Sequence, residues 1–312
     1  MGFKVLITDG LEKEGIEIIN AAGEAVNKKG IEADELLQII GEYDGLIVRG
    51  RTKVTREIFE AAKKLKAVGR AGVGVDNIDL QAAKDHGVTV VNAPVATTIA
   101  VAELGFGMMF ALVRDIPHTD ADMKHDKWTK KDYMGHELHG KTLGVVGYGN
   151  IGSTIGKYAQ ALGMKVLCYD PIRNVDEMRA TGAEPVQLDE IYAKADIITF
   201  HVPLIPETKH MVNDETFAKM KDGVLLVNVA RGGIIEEAAL LRALESGKVA
   251  GAALDVYEKE PPVDWTLAEH PRIIAVPHVG GQTEEAQLRV AGDIASEVMN
   301  VLQGNSLRWK IC

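Results

Sequence analysis

The chain is poor in cysteine and in aromatic residues, and it has no excess of positive charge. Of its 312 residues, 2 are cysteines, and aromatic side chains make up 5%. Cys168 lies in an apolar run and Cys312 is the last residue, so neither a disulfide framework nor a cysteine metal site is expected. The formal net charge of -10 argues against a nucleic acid or an anionic membrane as partner, because both bind basic surfaces.

Long hydrophobic runs are also missing. The most apolar stretch, residues 99–113, is shorter than the ~20 residues that cross a bilayer, and it contains Glu103. The N-terminus, MGFKVLITDG, lacks the basic start, apolar run and small-residue cleavage site of a signal peptide, and it already has the pattern of a strand. A cytoplasmic protein is therefore expected.

Short β-branched runs alternate with longer helical segments along the whole sequence, which is typical of βαβ units around a parallel sheet. A chain of 312 residues exceeds the usual size of one hydrophobic core, so two domains are expected. The predicted strands are residues 4–9, 45–50, 67–70, 88–92, 143–146, 165–170, 196–201, 224–229, 251–256 and 273–277. We therefore predict an α/β fold with two Rossmann-like, doubly wound parallel-sheet domains.

A glycine-rich segment follows the first strand of the second half. The sequence KTLGVVGYGNIG places Gly147, Gly149 and Gly152 directly after this strand and at the start of a predicted helix. Glycines at this spacing allow a tight turn, close approach of the backbone to a pyrophosphate, and close packing of helix on strand. The free N–H groups at the helix start would then meet the phosphate charge. A glycine turn without a ligand is the alternative, since the chain contains 32 glycines.

Asp170 ends the next predicted strand, 18 residues after Gly152, which is near the ~20 expected for an acid that binds the adenosine ribose. A helix-capping role is the alternative for this aspartate. The register of strand, glycines, helix, strand and acid favours a dinucleotide. A carboxylate here repels the 2′-phosphate of NADP, so NAD is the expected cofactor, although the nearby Arg173 weakens that preference.

Two predicted helices mark the borders of this nucleotide-binding half. They cover residues 97–113 and residues 284–302, and the second has an apolar face of Leu288, Ala291, Ala295, Val298 and Leu302. We predict that residues 96–282 form an NAD-binding Rossmann domain. This domain is inserted into a discontinuous substrate-binding, catalytic domain made of residues 1–95 and 283–312.

Polar side chains follow three of the later predicted strands. Arg231 follows VLLVNVA, Asp255 ends GAALDV with Glu260 five residues on, and His278 follows IIAVP. Ligands of open α/β sheets bind outside the carboxyl ends of the strands, so these side chains are expected to converge. For each residue taken alone, a surface charge or a structural histidine is the alternative.

The residue types in this set suggest a reaction. Imidazole titrates near neutral pH, so His278 is the candidate base for the hydroxyl proton of an alcohol that loses hydride. Glu260 would orient that imidazole and favour its charged form. Arg231 offers paired donors for a carboxylate and can polarise a neighbouring oxygen. Oxidation of a 2-hydroxy acid is predicted, without a metal, because HELHG at residues 136–140 lacks the HExxH spacing.

Across essentially its whole length the sequence resembles the D-isomer-specific 2-hydroxyacid dehydrogenases, and within them the branch that acts on D-3-phosphoglycerate. The match is carried by RTKVTREIFEAAKKLKAVGRAGVGVDNIDL, GKTLGVVGYGNIG, LLVNVARGGIIEEAALLRALESGKVAGAALDVYEKEPP and VPHVGG. The resemblance implies that Arg231, Glu260 and His278 are catalytic. The residues it places against NAD are Gly147, Gly149, Asn150, Ile151, Gly152, Asp170, Val229, Ala230, Asp255, His278 and Gly280.

The first domain is expected to hold the substrate. Arg49 ends GLIVRG and Arg70 closes KAVGR, and the resemblance places both where substrate phosphate is bound. Solvated loop charges are the alternative, chiefly for Arg51. The predicted substrate contacts are Arg49, Arg51, Arg70, Val73, Gly74 and Arg231. They predict oxidation of 3-phosphoglycerate to 3-phosphohydroxypyruvate, a reaction of serine biosynthesis.

Other substrates and roles stay open, because NAPVATTIAVAEL and VPHVGGQT depart from the phosphoglycerate pattern. A reductase of glyoxylate or hydroxypyruvate, or a dehydrogenase of another anionic 2-hydroxy acid such as sulfolactate, is the alternative. An NAD-sensing, corepressor-like scaffold is the alternative of another class. The resemblance implies a homodimer, which we expect to rest on residues 97–113 and the loop with Trp128. The chain ends soon after the last predicted helix, so we expect no C-terminal regulatory domain.

Overall fold

Parallel β-strands alternate with helices in two units of this computed structural model, which describes residues 2–312. The first unit consists of residues 2–97 and Gly281–Cys312, and the second of Thr98–Gly280. Within the described residues, the first unit holds a five-stranded sheet and the second a seven-stranded sheet. All strand pairs of both sheets are parallel, which confirms the predicted α/β class.

The strands of the first unit are β1 (Phe3–Ile7), β2 (Gly23–Asn27), β3 (Gly45–Val48), β4 (Ala67–Arg70) and β5 (Thr89–Asn92). Its helices up to β5 are α1 (Lys13–Asn20), α2 (Ala33–Ile39), α3 (Arg56–Ala61) and α4 (Leu80–Asp85). The strand order is β2-β1-β3-β4-β5. The edge strand β2 was not predicted, because GEAVN is half-exposed and lacks a run of β-branched residues.

The second unit begins with two helices, α5 (Thr98–Arg114) and α6 (Ile116–Lys124). Its strands are β6 (Thr142–Val146), β7 (Lys165–Tyr169), β8 (Glu184–Pro185), β9 (Ile197–Phe200), β10 (Val224–Asn228), β11 (Val249–Leu254) and β12 (Ile273–Ala275). The helices between them are α7 (Asn150–Ala161), α8 (Val175–Ala180), α9 (Leu188–Lys194), α10 (Asp214–Lys219) and α11 (Glu237–Glu245). The strand order is β12-β11-β10-β9-β6-β7-β8. The direction in which successive strands are added changes between β6 and β9. Open α/β sheets bind their ligands at such a switch point.

The first unit ends with helix α12 (Glu284–Gln303), which packs on its own sheet. Gly69 of β4 allows the close approach, because a Cβ there would lie 2.5 Å from Val298 of the helix. The helix buries Ala291, Ala295, Val298 and Leu302 as predicted, whereas Leu288 is 43% exposed. Val290 and Ile294 take its place in the core, so the buried face is rotated from the predicted one.

Candidate functional site

The loops of interest in the second unit all follow the carboxyl ends of its parallel strands. The glycine turn follows β6, Asp170 follows β7, Arg231 follows β10, Asp255 follows β11 and His278 follows β12. Because parallel strands end at the same edge, the alternation of strand and helix alone brings these loops to one side of the sheet. Among residues 2–312, no helix has both the length and the apolar run that a membrane crossing requires.

The glycine turn has the geometry of a phosphate cradle. Gly147 has a φ of 88°, which favours glycine, and its N–H donates to the carbonyl of Tyr169. A Cβ on Gly152 would lie 2.1 Å from the carbonyl oxygen of Gly147, so the turn and helix α7 touch through backbone. A Cβ on Gly149 would meet no described atom within 4 Å, which leaves open space at the helix start. This open, positive end of a helix fits a dinucleotide pyrophosphate.

Asp170 ties the loop after β7 to the glycine turn. Its Oδ2 accepts from the N–H of Tyr148 at 2.9 Å, and its Oδ1 accepts from the N–H groups of Ile172 and Arg173 at 3.0 and 3.1 Å. A carboxylate has about four acceptor positions, so Asp170 can also accept ribose hydroxyls. Nη1 of Arg173 donates to the carbonyl of Tyr148 at 2.5 Å, which places this cation against the same turn.

Glu260 and His278 form a close pair. Nδ1 of His278 lies 2.6 Å from Oε2 of Glu260, and Oε1 of Glu260 accepts from the N–H of Tyr257 at 3.1 Å. Burial raises the pKa of Glu260, but the hydrogen bond and charge of His278, together with Arg231, outweigh it and the net pKa shift is downward. The pair therefore consists of an ionised carboxylate beside an imidazole that has one ring nitrogen left for another partner.

The backbone of His278 has a φ of 52°, a left-handed conformation that non-glycine residues seldom adopt. Asp255 fixes this segment from the neighbouring strand. Its Oδ1 accepts from the N–H of Val279 at 2.6 Å and its Oδ2 from the N–H of Gly280 at 2.9 Å. The Asp255 carboxyl is 1% exposed, and burial raises its pKa despite these two hydrogen bonds. Asp255 thus holds the turn that carries the imidazole.

Arg231 lies in a turn that its own neighbours shape. Asn228, which is buried at the end of β10, donates from Nδ2 to the carbonyl of Arg231 at 2.9 Å and accepts from the N–H of Ala230 at 3.1 Å. The guanidinium donates to the carbonyl of Ala230 at 2.7 Å. Val229 is buried beside this turn. Asn228 is a positioning residue that the sequence interpretation missed, although its place at a strand end was a usable signal.

The predicted substrate residues of the first unit lie in two loops after β3 and β4. Arg49 contacts Glu12 and Gln287, with 2.5 Å between Nη2 and Oε2 of Glu12. Arg51 pairs with Asp9, 3.2 Å from Nε to Oδ1. Both arginines therefore already have carboxylate partners within their own unit.

Side-chain hydrogen bonds from Arg70 and Asn92 hold the loop after β4. Nη1 of Arg70 donates to the carbonyl of Ala71 at 3.2 Å. The Nδ2 of Asn92 donates to the carbonyl of Val73 at 2.6 Å, beside the half-buried Gly74. The sequence interpretation also missed Asp9, which lies two residues after β1. Its carboxylate accepts from the N–H groups of Arg49 and Thr52 at 2.7 and 3.1 Å. The signal was its position at the end of the strand predicted over residues 4–9.

Two further histidines of the second unit have side-chain partners. His201 lies at the end of β9, where its Nε2 is 2.9 Å from Oγ1 of Thr199, and burial lowers its pKa to about 3. The Nε2 of His210 lies 3.2 Å from Oε1 of Glu258.

Comparison with known proteins gives a consistent picture. The D-isomer specific 2-hydroxyacid dehydrogenase NAD binding domain matches residues 106–280. Over 97% of its length the chain is 47% identical to D-3-phosphoglycerate dehydrogenase of Rattus norvegicus and 48% identical to that of Bacillus subtilis. In both cases the chain covers 57% of the relative, so it spans little more than half the length of these curated relatives.

Solved structures match over nearly the whole chain. A glyoxylate reductase from Paecilomyes thermophila has a TM-score of 0.92 with 30% identity, covering 99% of this chain and 98% of that one. D-Lactate dehydrogenase from Aquifex aeolicus, complexed with NAD and lactic acid, has a TM-score of 0.86 with 30% identity over 96% of each chain.

Proposed function

Since the chain belongs to the D-isomer specific 2-hydroxyacid dehydrogenase family, we propose that it oxidises a D-2-hydroxy acid to the 2-oxo acid with NAD, and catalyses the reverse reaction. The substrate that we propose is 3-phosphoglycerate, the product being 3-phosphohydroxypyruvate, as the names of the curated relatives suggest. The observation that carries the proposal is the 2.6 Å contact of His278 with Glu260, in a unit whose glycine turn fits a dinucleotide.

His278 removes the hydroxyl proton in this proposal. Its Nδ1 is held by Glu260, so Nε2 is the atom that accepts the proton of the 2-hydroxyl group. The carboxylate stabilises the imidazolium that results and keeps the ring in one orientation. In reduction the same nitrogen returns the proton to the 2-oxygen. Bound NAD supplies the acceptor for the hydride that leaves the alpha carbon.

Arg231 binds the substrate carboxylate in this proposal. The guanidinium can form two parallel hydrogen bonds to a carboxylate, and it can polarise the 2-oxygen as negative charge develops there. Asn228 shapes the turn that presents it. The positive charge of Arg231 also lowers the pKa of the Glu260 carboxyl.

The NAD-binding residues that we propose lie along the carboxyl edge of the second sheet. Gly147, Gly149 and Gly152, with Asn150 and Ile151 at the start of α7, would hold the pyrophosphate. Asp170 would accept from the adenosine ribose. At the nicotinamide end we propose Val229, Ala230, Asp255, His278 and Gly280, where Asp255 fixes the backbone beside the imidazole.

An unphosphorylated 2-oxo acid is the second candidate substrate, and a specific observation favours it. Arg49 and Arg51 are paired with Glu12 and Asp9, so part of the positive charge that a phosphate would need is already neutralised. A reductase of glyoxylate or hydroxypyruvate needs no such charge. A sulfonate such as sulfolactate would require the same cations as a phosphate.

Steady-state kinetics with NADH would separate these substrates. The panel consists of phosphohydroxypyruvate, hydroxypyruvate, glyoxylate and sulfopyruvate. If phosphate is recognised, Arg49→Ala and Arg70→Ala lower kcat/KM for the phosphorylated compound by roughly 10²-fold and change the value for hydroxypyruvate little. Arg56→Ala, which removes an exposed arginine paired with Asp85 in the same unit, is the matched control. Equal efficiency of the wild type on both hydroxypyruvates contradicts the phosphate assignment, and no turnover with any compound favours the scaffold role.

We also propose a homodimer, which the family resemblance implies, and a cytoplasmic location. Support for the dimer comes from large apolar side chains left exposed in α5, α6 and the loop that follows them. Trp128 is 79% and Met134 is 90% exposed. Such a group of apolar side chains on one surface segment is typical of a protein–protein contact.

A further inference from the structure

His210 lies where two loops with proposed catalytic residues come together. Its N–H donates to the carbonyl of Gly233 at 2.7 Å, in the turn that directly follows Arg231. Its Nε2 lies 3.2 Å from Oε1 of Glu258, in the loop that leads to Glu260. One residue therefore contacts the Arg231 turn through its backbone and the Glu260 loop through its side chain.

The turn after Arg231 and the loop that leads to Glu260 are also in direct backbone contact. A Cβ on Gly232 would lie 1.8 Å from the carbonyl oxygen of Tyr257, so backbone packs directly on backbone. Glu258 and Glu237 cap each other: the N–H of Glu258 donates to Oε1 of Glu237 at 2.7 Å, and the N–H of Glu237 donates to Oε1 of Glu258 at 3.1 Å. Because Glu258 and Glu260 lie two residues apart in the same loop, a shift of Glu258 also moves Glu260.

The reciprocal cap brings two carboxylates together, and the imidazole of His210 approaches one of them. Burial raises the pKa of Glu237, with a further contribution from the charges of Glu258 and Asp264, and it outweighs the hydrogen bond from the N–H of Glu258, which lowers this pKa. Oε1 of Glu258 is the atom that both the N–H of Glu237 and the imidazole of His210 approach. His210 thus contacts the same carboxylate oxygen that caps Glu237.

The backbone of His210 adds an independent observation. Its φ of 52° lies in the left-handed region, which glycine adopts at lower cost than any residue with a Cβ. A side chain kept in an unfavourable conformation beside a site is consistent with a functional constraint. The left-handed backbone of His210 is unfavourable, and the contact of its imidazole with Glu258 offsets this cost.

We propose that His210 is a positioning residue that locks the Glu258 loop against the Arg231 turn, so that Arg231 and the Glu260–His278 pair keep their mutual geometry. This inference rests on the proposed function, because the roles of these three residues come from it. His210 acts through Glu258 and Glu260 and is not itself expected to contact substrate or cofactor.

Two substitutions at this position separate positioning from stability. His210→Gly removes the imidazole and relieves the left-handed backbone, whereas His210→Gln keeps an N–H donor of similar reach and retains the backbone cost. A purely structural role predicts that the Gly variant is at least as stable and as active as the Gln variant. The positioning role predicts that the Gly variant is less active than the Gln variant although it is at least as stable.

The expected result is a loss of kcat in His210→Gly of roughly 10-fold to 100-fold, with the dissociation constant of NADH unchanged and the melting temperature unchanged or higher. His210→Gln should recover most of the rate. His86→Gln, which removes an exposed imidazole from the first unit, is the control. Equal kcat in His210→Gly and wild type overturns the proposal.

Amide hydrogen exchange tests the same inference without turnover. His210→Gly should speed exchange at residues 257–260 while leaving the strands of the second sheet protected. If the wild type turns over none of the 2-oxo acids, the proposed function fails, and the exchange result alone decides whether His210 holds the loop. Unchanged exchange at residues 257–260 contradicts that hold, whatever the activity.

Discussion

At the scale of single residues, the proton-transfer pair can be tested most directly. His278→Asn removes the titrating group and keeps a side chain that tolerates the left-handed backbone. Turnover should fall ~10²-fold to 10⁴-fold, because positioned acid–base catalysis contributes about that much. NADH binding, followed by fluorescence titration, should stay close to the wild-type value, since the glycine turn and Asp170 are separate from His278. Wild-type turnover in this variant contradicts the assigned role.

Glu260 determines the pH dependence of the same step. The lowered pKa of Glu260 keeps its carboxylate ionised, and that charge favours the protonated imidazole that reduction requires. In Glu260→Gln this charge is lost, so the reductive rate should decline at lower pH than in wild type. The measurement is the pH profile of kcat/KM for the 2-oxo acid, and an unmoved profile removes Glu260 from this role.

At the scale of elements, we expect the contact between the glycine turn and helix α7 to govern cofactor binding. Gly152→Ala places a Cβ where the carbonyl oxygen of Gly147 lies, so the helix start must shift away from the pyrophosphate. We expect a loss of about 1–3 kcal/mol in the free energy of unfolding, together with weaker NADH binding. The control is Gly292→Ala in α12, where a Cβ meets no described atom within 4 Å and alanine should add roughly 0.5–1 kcal/mol. NADH affinity equal to wild type would disprove the cradle.

We expect the loop after β7 to set the choice between NAD and NADP. Asp170 presents negative charge where a 2′-phosphate would lie, while the guanidinium of Arg173 is engaged with the carbonyl of Tyr148. The wild type should therefore prefer NAD. Asp170→Ala should reduce that preference by roughly 10-fold to 100-fold, because both the repulsion and the ribose hydrogen bonds are lost. The ratio of kcat/KM for the two cofactors gives the answer, and equal use of both by the wild type contradicts the assignment.

At the scale of the whole molecule, the exposed apolar segment predicts self-association. Light scattering at micromolar concentration should give the mass of a dimer. Trp128→Glu should produce monomers, because a charge in a desolvated contact has no partner. Trp265→Glu changes a tryptophan that is also exposed but lies outside the segment, and it should leave the dimer intact. A monomeric wild type, or equal effects of both substitutions, contradicts this interface.

Particular elements show how far local pattern reaches. The β-branched runs of β6, β9 and β10 and the glycines before α7 were predicted because their signals lie in adjacent residues. The strands β2 and β8 were missed, since GEAVN and the pair Glu184–Pro185 become strands only by pairing with a preformed neighbour. Leu288 was placed in the core wrongly, because an apolar helix face can be chosen in two ways and packing on Gly69 decides between them.

The sequence by itself determined the α/β class, the dinucleotide turn and the position of each polar residue after its strand. These follow from the two periodicities of side chains and from the fact that parallel strands all end at one edge. Only the tertiary structure decided which side chains touch: the pairing of His278 with Glu260, the carboxylate partners of Arg49 and Arg51, and the contact of His210 with Glu258. Contacts between residues far apart in sequence depend on loop geometry to a fraction of an ångström, and no local pattern encodes that distance.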